Sequence, residues 1–142
     1  MVFATSGVGC EAECPNEVIS IDETGKVKYY GIRYTDSIGY FIGKIEKVTL
    51  DSINQNFIHI LETGIDTLKG QRTDHPIFEI YIQASENSFN KTINAGKISD
   101  EDSKIIRWFR DIKKQVKLQR TKDTLSFETT TQNFEISLLK AK

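Results

Sequence analysis

Short apolar runs closed by turn cues open the chain. Val18-Ile19-Ser20-Ile21 predicts a strand. Asp22-Glu23-Thr24-Gly25 predicts a turn with Gly25 at positive φ, and residues 27–34, rich in Val, Tyr and Ile, a second strand. Ile38-Gly39 turns the chain again, and residues 40–48 read as a third strand. The period then changes. Between residues 49 and 68, Leu50, Ile53, Phe57, Ile60, Leu61, Gly64 and Leu68 fall on one helical face, with Thr49 as N-cap and Gly70 just past the end.

Strict alternation returns at residues 77–84. Phe78, Ile80, Ile82 and Ala84 share one face, and Ile77, Glu79, Tyr81 and Gln83 the other. Residues 89–93 supply a partner strand. A second helix is predicted from Asp100 to Leu118, with Ser99 and Asp102 at capping-box spacing and Ile105, Trp108, Phe109, Ile112 and Val116 as its apolar stripe. Residues 124–127 and 134–138 alternate as a C-terminal hairpin. The order is therefore βββ-α-ββ-α-ββ. Strands joined by short turns give an α+β fold, an antiparallel sheet with two amphipathic helices packed on one face. No repeat or linker divides it, so residues 1–142 are read as one domain: a core over 7–118 and a hairpin extension over 119–142.

Composition narrows the function classes. At 142 residues, 38% hydrophobic and 27% charged, the chain can bury a core and is not a disordered polymer. Its 19 Lys and Arg against 20 Asp and Glu leave a net charge of -1, which argues against a nucleic-acid binder. No apolar run reaches the roughly 20 residues of a membrane span. The opening segment lacks the basic and apolar regions of a signal peptide. Either the protein is cytoplasmic or its signal is absent from this chain.

Cys10 and Cys14 have three residues between them, one more than a CxxC redox pair, and a structural zinc site needs about four ligands. In an oxidising compartment they read as a local disulfide, and in a reducing one as two free thiols. Closing so short a loop stabilises by at most about 2 kcal/mol.

Gly9-Cys10-x-x-x-Cys14-Pro15, the hairpin with Asp22 and Gly25, Tyr30-Gly31, Thr73-Asp74-His75-Pro76 and Trp108 together resemble a bacterial domain family without assigned activity. Its members are mostly small secreted or lipid-anchored envelope proteins. The likeness runs over about residues 7–110. Glu17 stands near the family's usual aromatic. The resemblance implies an extracytoplasmic location, periplasmic or secreted, and supplies no catalytic residue.

Few groups carry chemistry. Asp74 and His75 form a candidate polar site, although neighbours on an extended segment point apart. His59 lies opposite the apolar stripe of the first helix and reads as a solvated histidine. Tyr29, Tyr30, Tyr34, Tyr40 and Phe41 form either an aromatic platform or cross-strand packing pairs. The most unusual feature is the second helix, where Arg107, Arg110, Lys113, Lys114 and Lys117 gather opposite the apolar stripe. Such a face suits an acidic protein or another anionic surface. No catalytic triad can be assembled, and no metal or cofactor is expected. The leading expectation is a non-enzymatic extracytoplasmic binding module. The alternatives are a small thiol-dependent enzyme or redox protein using Cys10 and Cys14, and an inhibitor or immunity-type protein with a basic helix face.

Overall fold

The computed structural model of the protein describes residues 1–6, 14–65, 77–84, 87–94 and 98–127. Among them the strands are β1 (Val2–Ser6), β2 (Asn16–Ile21), β3 (Lys26–Arg33), β4 (Gly39–Lys44), β5 (Ile77–Ala84), β6 (Asn87–Asn94) and β7 (Gln119–Arg120). The helices are α1 (Lys47–Thr63), between β4 and β5, and α2 (Asp100–Asp111), between β6 and β7. The strands form one sheet in the order β6-β5-β1-β2-β3-β4-β7, with every pairing antiparallel. The fold is α+β.

The order of elements differs from the expected one at both ends. β1 was not foreseen, yet it sits mid-sheet, hydrogen-bonded to β2 on one side and β5 on the other. Five residues are too few to display alternation, and neighbours far along the chain supply the pairing. The expected C-terminal hairpin is also corrected. Residues 124–127 form no strand, and β7 instead adds two residues to β4, pairing Phe41 with Arg120 and Ile42 with Gln119. The expected second arm, 134–138, lies outside the described residues.

The Asp22 turn forms as the sequence predicts. Asp22 Oδ1 accepts from Thr24 N at 2.9 Å, Thr24 Oγ1 at 2.6 Å and Lys26 N at 3.0 Å, and Gly25 takes φ 80°. Helix α1 starts at Lys47 without a side-chain cap and stops at Gly64, whose φ of 71° ends the helical run. It is shorter than expected, because a glycine read as part of the apolar face is the terminator.

One cluster joins the inward side of the sheet to both helices. Ile19, Ile21, Val27, Tyr29, Phe78, Ile80 and Ile82 of the strands pack with Leu50, Ile53, Phe57 and Ile60 of α1 and Ile106 and Phe109 of α2. The rings of Phe57 and Phe109 stack at 6.0 Å, and Trp108 meets both edge-on. Each such fully buried side chain contributes about 1.5–3 kcal/mol relative to exposure. In α2 the buried stripe runs through Ile106 and Phe109, while Ile105 and Trp108 are half-buried, a small rotation from the expected face.

Strand alternation splits the aromatic group. Tyr29 and Phe41 join the core cluster. Tyr30 and Tyr40 lie on the opposite face, stacked with centroids 4.0 Å apart. On that face Val18 is fully buried beneath Tyr30, Tyr81 and Phe127, and Lys28 Nζ donates to the Ser126 carbonyl at 3.2 Å. Residues 126–127 thus lie against the outer face of the sheet.

Candidate functional site

Helix α2 begins with a well-made cap: Ser99 Oγ accepts from Asp102 N at 3.1 Å, and three acidic residues occupy the first turn. Burying Ile106 and Phe109 leaves Arg107 and Arg110 exposed on the other side. The expected helix to residue 118 is cut short. After Asp111 the chain tightens into a 3-10 turn over Ile112–Gln115 and leaves it extended at Val116. Ile112 stays fully buried, Lys113 is drawn inward, and Lys114 remains exposed.

Lys113 is drawn towards Glu17. On β2, Glu17 shares the alternation of Ile19 and Ile21, so its carboxylate enters beneath the sheet and the residue is 4% exposed. A register irregularity at Asn16 and Glu17 sets Asn16 opposite Arg33 and Glu17 opposite Gly31. Beyond it Tyr34 adopts φ 53°, the left-handed region that disfavours a bulky side chain. The turn then folds back over Gly31, where a Cβ would run into the Ser37 carbonyl. This fold brings Thr35 to the carboxylate.

Glu17 Oε2 therefore accepts three hydrogen bonds, from Lys113 Nζ at 2.6 Å, Tyr29 OH at 2.6 Å and Thr35 Oγ1 at 2.7 Å. Burial by itself would raise the carboxyl pKa. The bonds from Lys113, Tyr29 and Thr35, with the Lys113 charge, outweigh it and hold Glu17 below the usual carboxylate range. Burial and the Glu17 carboxylate push the Tyr29 phenol upward, so Tyr29 remains a donor. Lys113 Nζ also lies 5.6 Å from the centroid of the Tyr29 ring.

A cavity of about 400 Å³ opens beside this network. Pro15 and Glu17 form its floor, and Tyr34, Thr35 and Asp36 of the β3–β4 turn form one wall. Arg107, Arg110, Asp111, Lys113 and Lys114 form the other. Four cations thus meet three carboxylates. Lys114 Nζ is 2.6 Å from Asp111 Oδ1 and holds that carboxyl below its ordinary value. Such an arrangement can hold charged groups. Glu17, held below the usual carboxylate range by three donors, is not poised as a general acid.

The structure brings four of the five cations expected at a partner surface, Arg107, Arg110, Lys113 and Lys114, to this cavity. Lys117 is exposed but does not line it. Lys113 is corrected from a solvated side chain to the inward half of an ion pair. Cys14 directly precedes Pro15 and is not a free thiol. Cys10 lies outside the described residues, as do Asp74 and His75. Among the described residues no group of three or more His, Cys, Asp or Glu is placed to hold a metal ion, and no helix is long and apolar enough to cross a membrane. The sequence reading missed Glu17, Thr35 and Asp36 as site residues and read Tyr29 as part of an aromatic platform or a cross-strand packing pair, not as a donor to a buried carboxylate. One signal was available for Glu17: a carboxylate in step with Ile19 and Ile21 on a buried strand face needs a partner.

Comparison with known families matches residues 3–116 to a family model described as a domain of unknown function (DUF6438). No curated protein and no solved structure matches the chain.

Proposed function

This chain belongs to the DUF6438 family of domains of unknown function, and from that premise we propose that it is a non-enzymatic binding module for an acidic partner. The observation that carries this reading is the pair of exposed guanidinium groups, Arg107 and Arg110, lining a cavity whose far wall is fixed by the Glu17 network. Guanidinium forks match carboxylates in shape and charge. A preformed wall lowers the ordering cost of binding.

The test uses poly-L-glutamate as a defined acidic probe, titrated calorimetrically at low ionic strength. Arg107→Glu, Arg110→Glu and Lys114→Glu together should abolish binding. Lys117→Glu, outside the cavity, should change affinity by less than about twofold, as a single exposed charge does. Equal losses in the two variants would reject the site. An inhibitor-type protein that masks an acidic cleft would use the same cations, and its mark is charge reversal acting chiefly on the association rate.

The proposal includes an extracytoplasmic location, periplasmic or secreted, and a Cys10–Cys14 disulfide that clips the segment leading into Pro15. The state of Cys14, which is not a free thiol, supports the disulfide and weighs against the thiol-enzyme alternative. Intact mass after alkylation with and without reductant tests it. Two cysteines blocked until reduction are expected, and two that react at once would overturn it.

A further inference from the structure

Deepening that reading, on which it rests, we propose that the cavity recognises an acidic zwitterion, an amino acid or peptide end carrying two carboxylates and one ammonium.

The two walls of the cavity carry unequal free charge. Lys113 is committed to Glu17 and Lys114 to Asp111, each at 2.6 Å. Among the described residues, Arg107, Arg110 and Asp36 make no ion pair, although the charges of both arginines reach the Asp111 carboxylate that Lys114 pairs. They leave two guanidinium groups on one wall and one carboxylate on the other. Arg107 and Arg110 stand three residues apart on α2, so they are neighbours on one helical face. The complement of this set is two negative groups and one positive group.

Size and surface agree with that complement. A volume of about 400 Å³ exceeds a single inorganic ion and lies within the range of small-molecule sites. Tyr34, 51% exposed at the rim with the Arg33 guanidinium 5.7 Å from its ring centroid, leaves the remainder of its ring surface for the methylenes that separate the charges of such a ligand. Asp36 is the discriminating residue. It attracts an ammonium and repels a ligand that brings only negative charge, so a plain dianion gains the arginines but meets a like charge opposite them.

Calorimetric titration with L-glutamate, glutarate and inorganic phosphate separates the alternatives, because glutarate keeps both carboxylates and lacks the ammonium. L-Glutamate should bind roughly two- to fivefold tighter than glutarate, the scale of one partly exposed ion pair. Asp36→Asn should erase that preference without weakening glutarate. The double variant Arg107→Gln and Arg110→Gln should weaken both ligands by roughly fivefold or more. Glutarate binding as tightly as glutamate to the unaltered protein would overturn the proposal, and phosphate binding tightest of the three would replace it with a phosphate site. If none of the three binds while poly-L-glutamate does, the zwitterion site falls and the acidic-partner reading stands. If poly-L-glutamate fails as well, both fall.

Discussion

Lys113 lies 96 positions from Glu17 along the chain, yet its ammonium sits 2.6 Å from the Glu17 carboxylate. The contact ties the 3-10 turn that follows α2 to β2, and both partners are largely removed from water. Their side chains are 17% and 6% exposed. A pair of this kind adds little net stability over an apolar pair of equal volume, but half of it left alone is costly. Its value here is positional: it holds the cationic wall of the cavity to its floor.

Removing the cation alone should therefore be worse than removing the pair. Lys113→Met is expected to destabilise the fold by about 2–4 kcal/mol, since Glu17 would stay buried with only its two hydroxyl donors. Adding Glu17→Gln to that variant should recover a large part of the loss. Urea denaturation of the two single variants and the double variant measures the coupling.

The same carboxylate sets an acid limit. Its native pKa is lowered from the ordinary value of 4.5, so the unfolded chain takes up the proton more readily. The stability it contributes is fully present above pH 4.5 and is lost as pH falls through the lowered native value. Urea midpoints measured from about pH 7 down to about pH 3 should fall more steeply in the unaltered protein than in Glu17→Gln. Parallel slopes would mean that other carboxylates govern acid unfolding.

Gly31 is required by a close approach. Its Cβ position is occupied by the Ser37 carbonyl, backbone that can yield only if the turn opens. Gly31→Ala should cost about 1–3 kcal/mol, the usual scale of overpacking, and should withdraw Thr35 from Glu17. The amide resonances of residues 34–37 would report that movement directly.

Tyr34 carries the opposite lesson. At φ 53° it occupies a conformation that asparagine tolerates far better. Tyr34→Asn should raise stability by about 0.5–1 kcal/mol, net of the Arg33 guanidinium contact 5.7 Å from the ring that it gives up. If the ring contributes to binding, the same variant should bind L-glutamate more weakly. That pairing of higher stability with lower affinity would mark Tyr34 as strained for a purpose.

Local pattern exposed much of the fold and little of the site. Phe78, Ile80 and Ile82 declare a half-buried strand, and Leu50, Ile53, Phe57 and Ile60 a helical face, because each periodicity lies within one element. Ser99 and Asp102 announce the start of α2 for the same reason. β1 is silent because its pairing comes from β2 and β5, not from its own five residues. The basic side of α2 is legible as a run of Arg and Lys, whereas its meeting with Asp36 and Thr35 depends on a bulged register, a left-handed Tyr34 and a turn folded over Gly31. None of these leaves a periodic trace. Lys113 looks like one more surface cation until the 3-10 turn draws it inward.

The cavity between α2 and the β3–β4 turn is the proposed ligand site. Titrating isotope-labelled protein with poly-L-glutamate and following backbone amide shifts tests this most directly. The account predicts that the largest changes cluster at Tyr34, Thr35 and Asp36 and at Arg107, Arg110 and Lys114, on two segments brought together by the fold. Shifts centred elsewhere, on the stacked Tyr30 and Tyr40 or along β6, would contradict it, as would none at all.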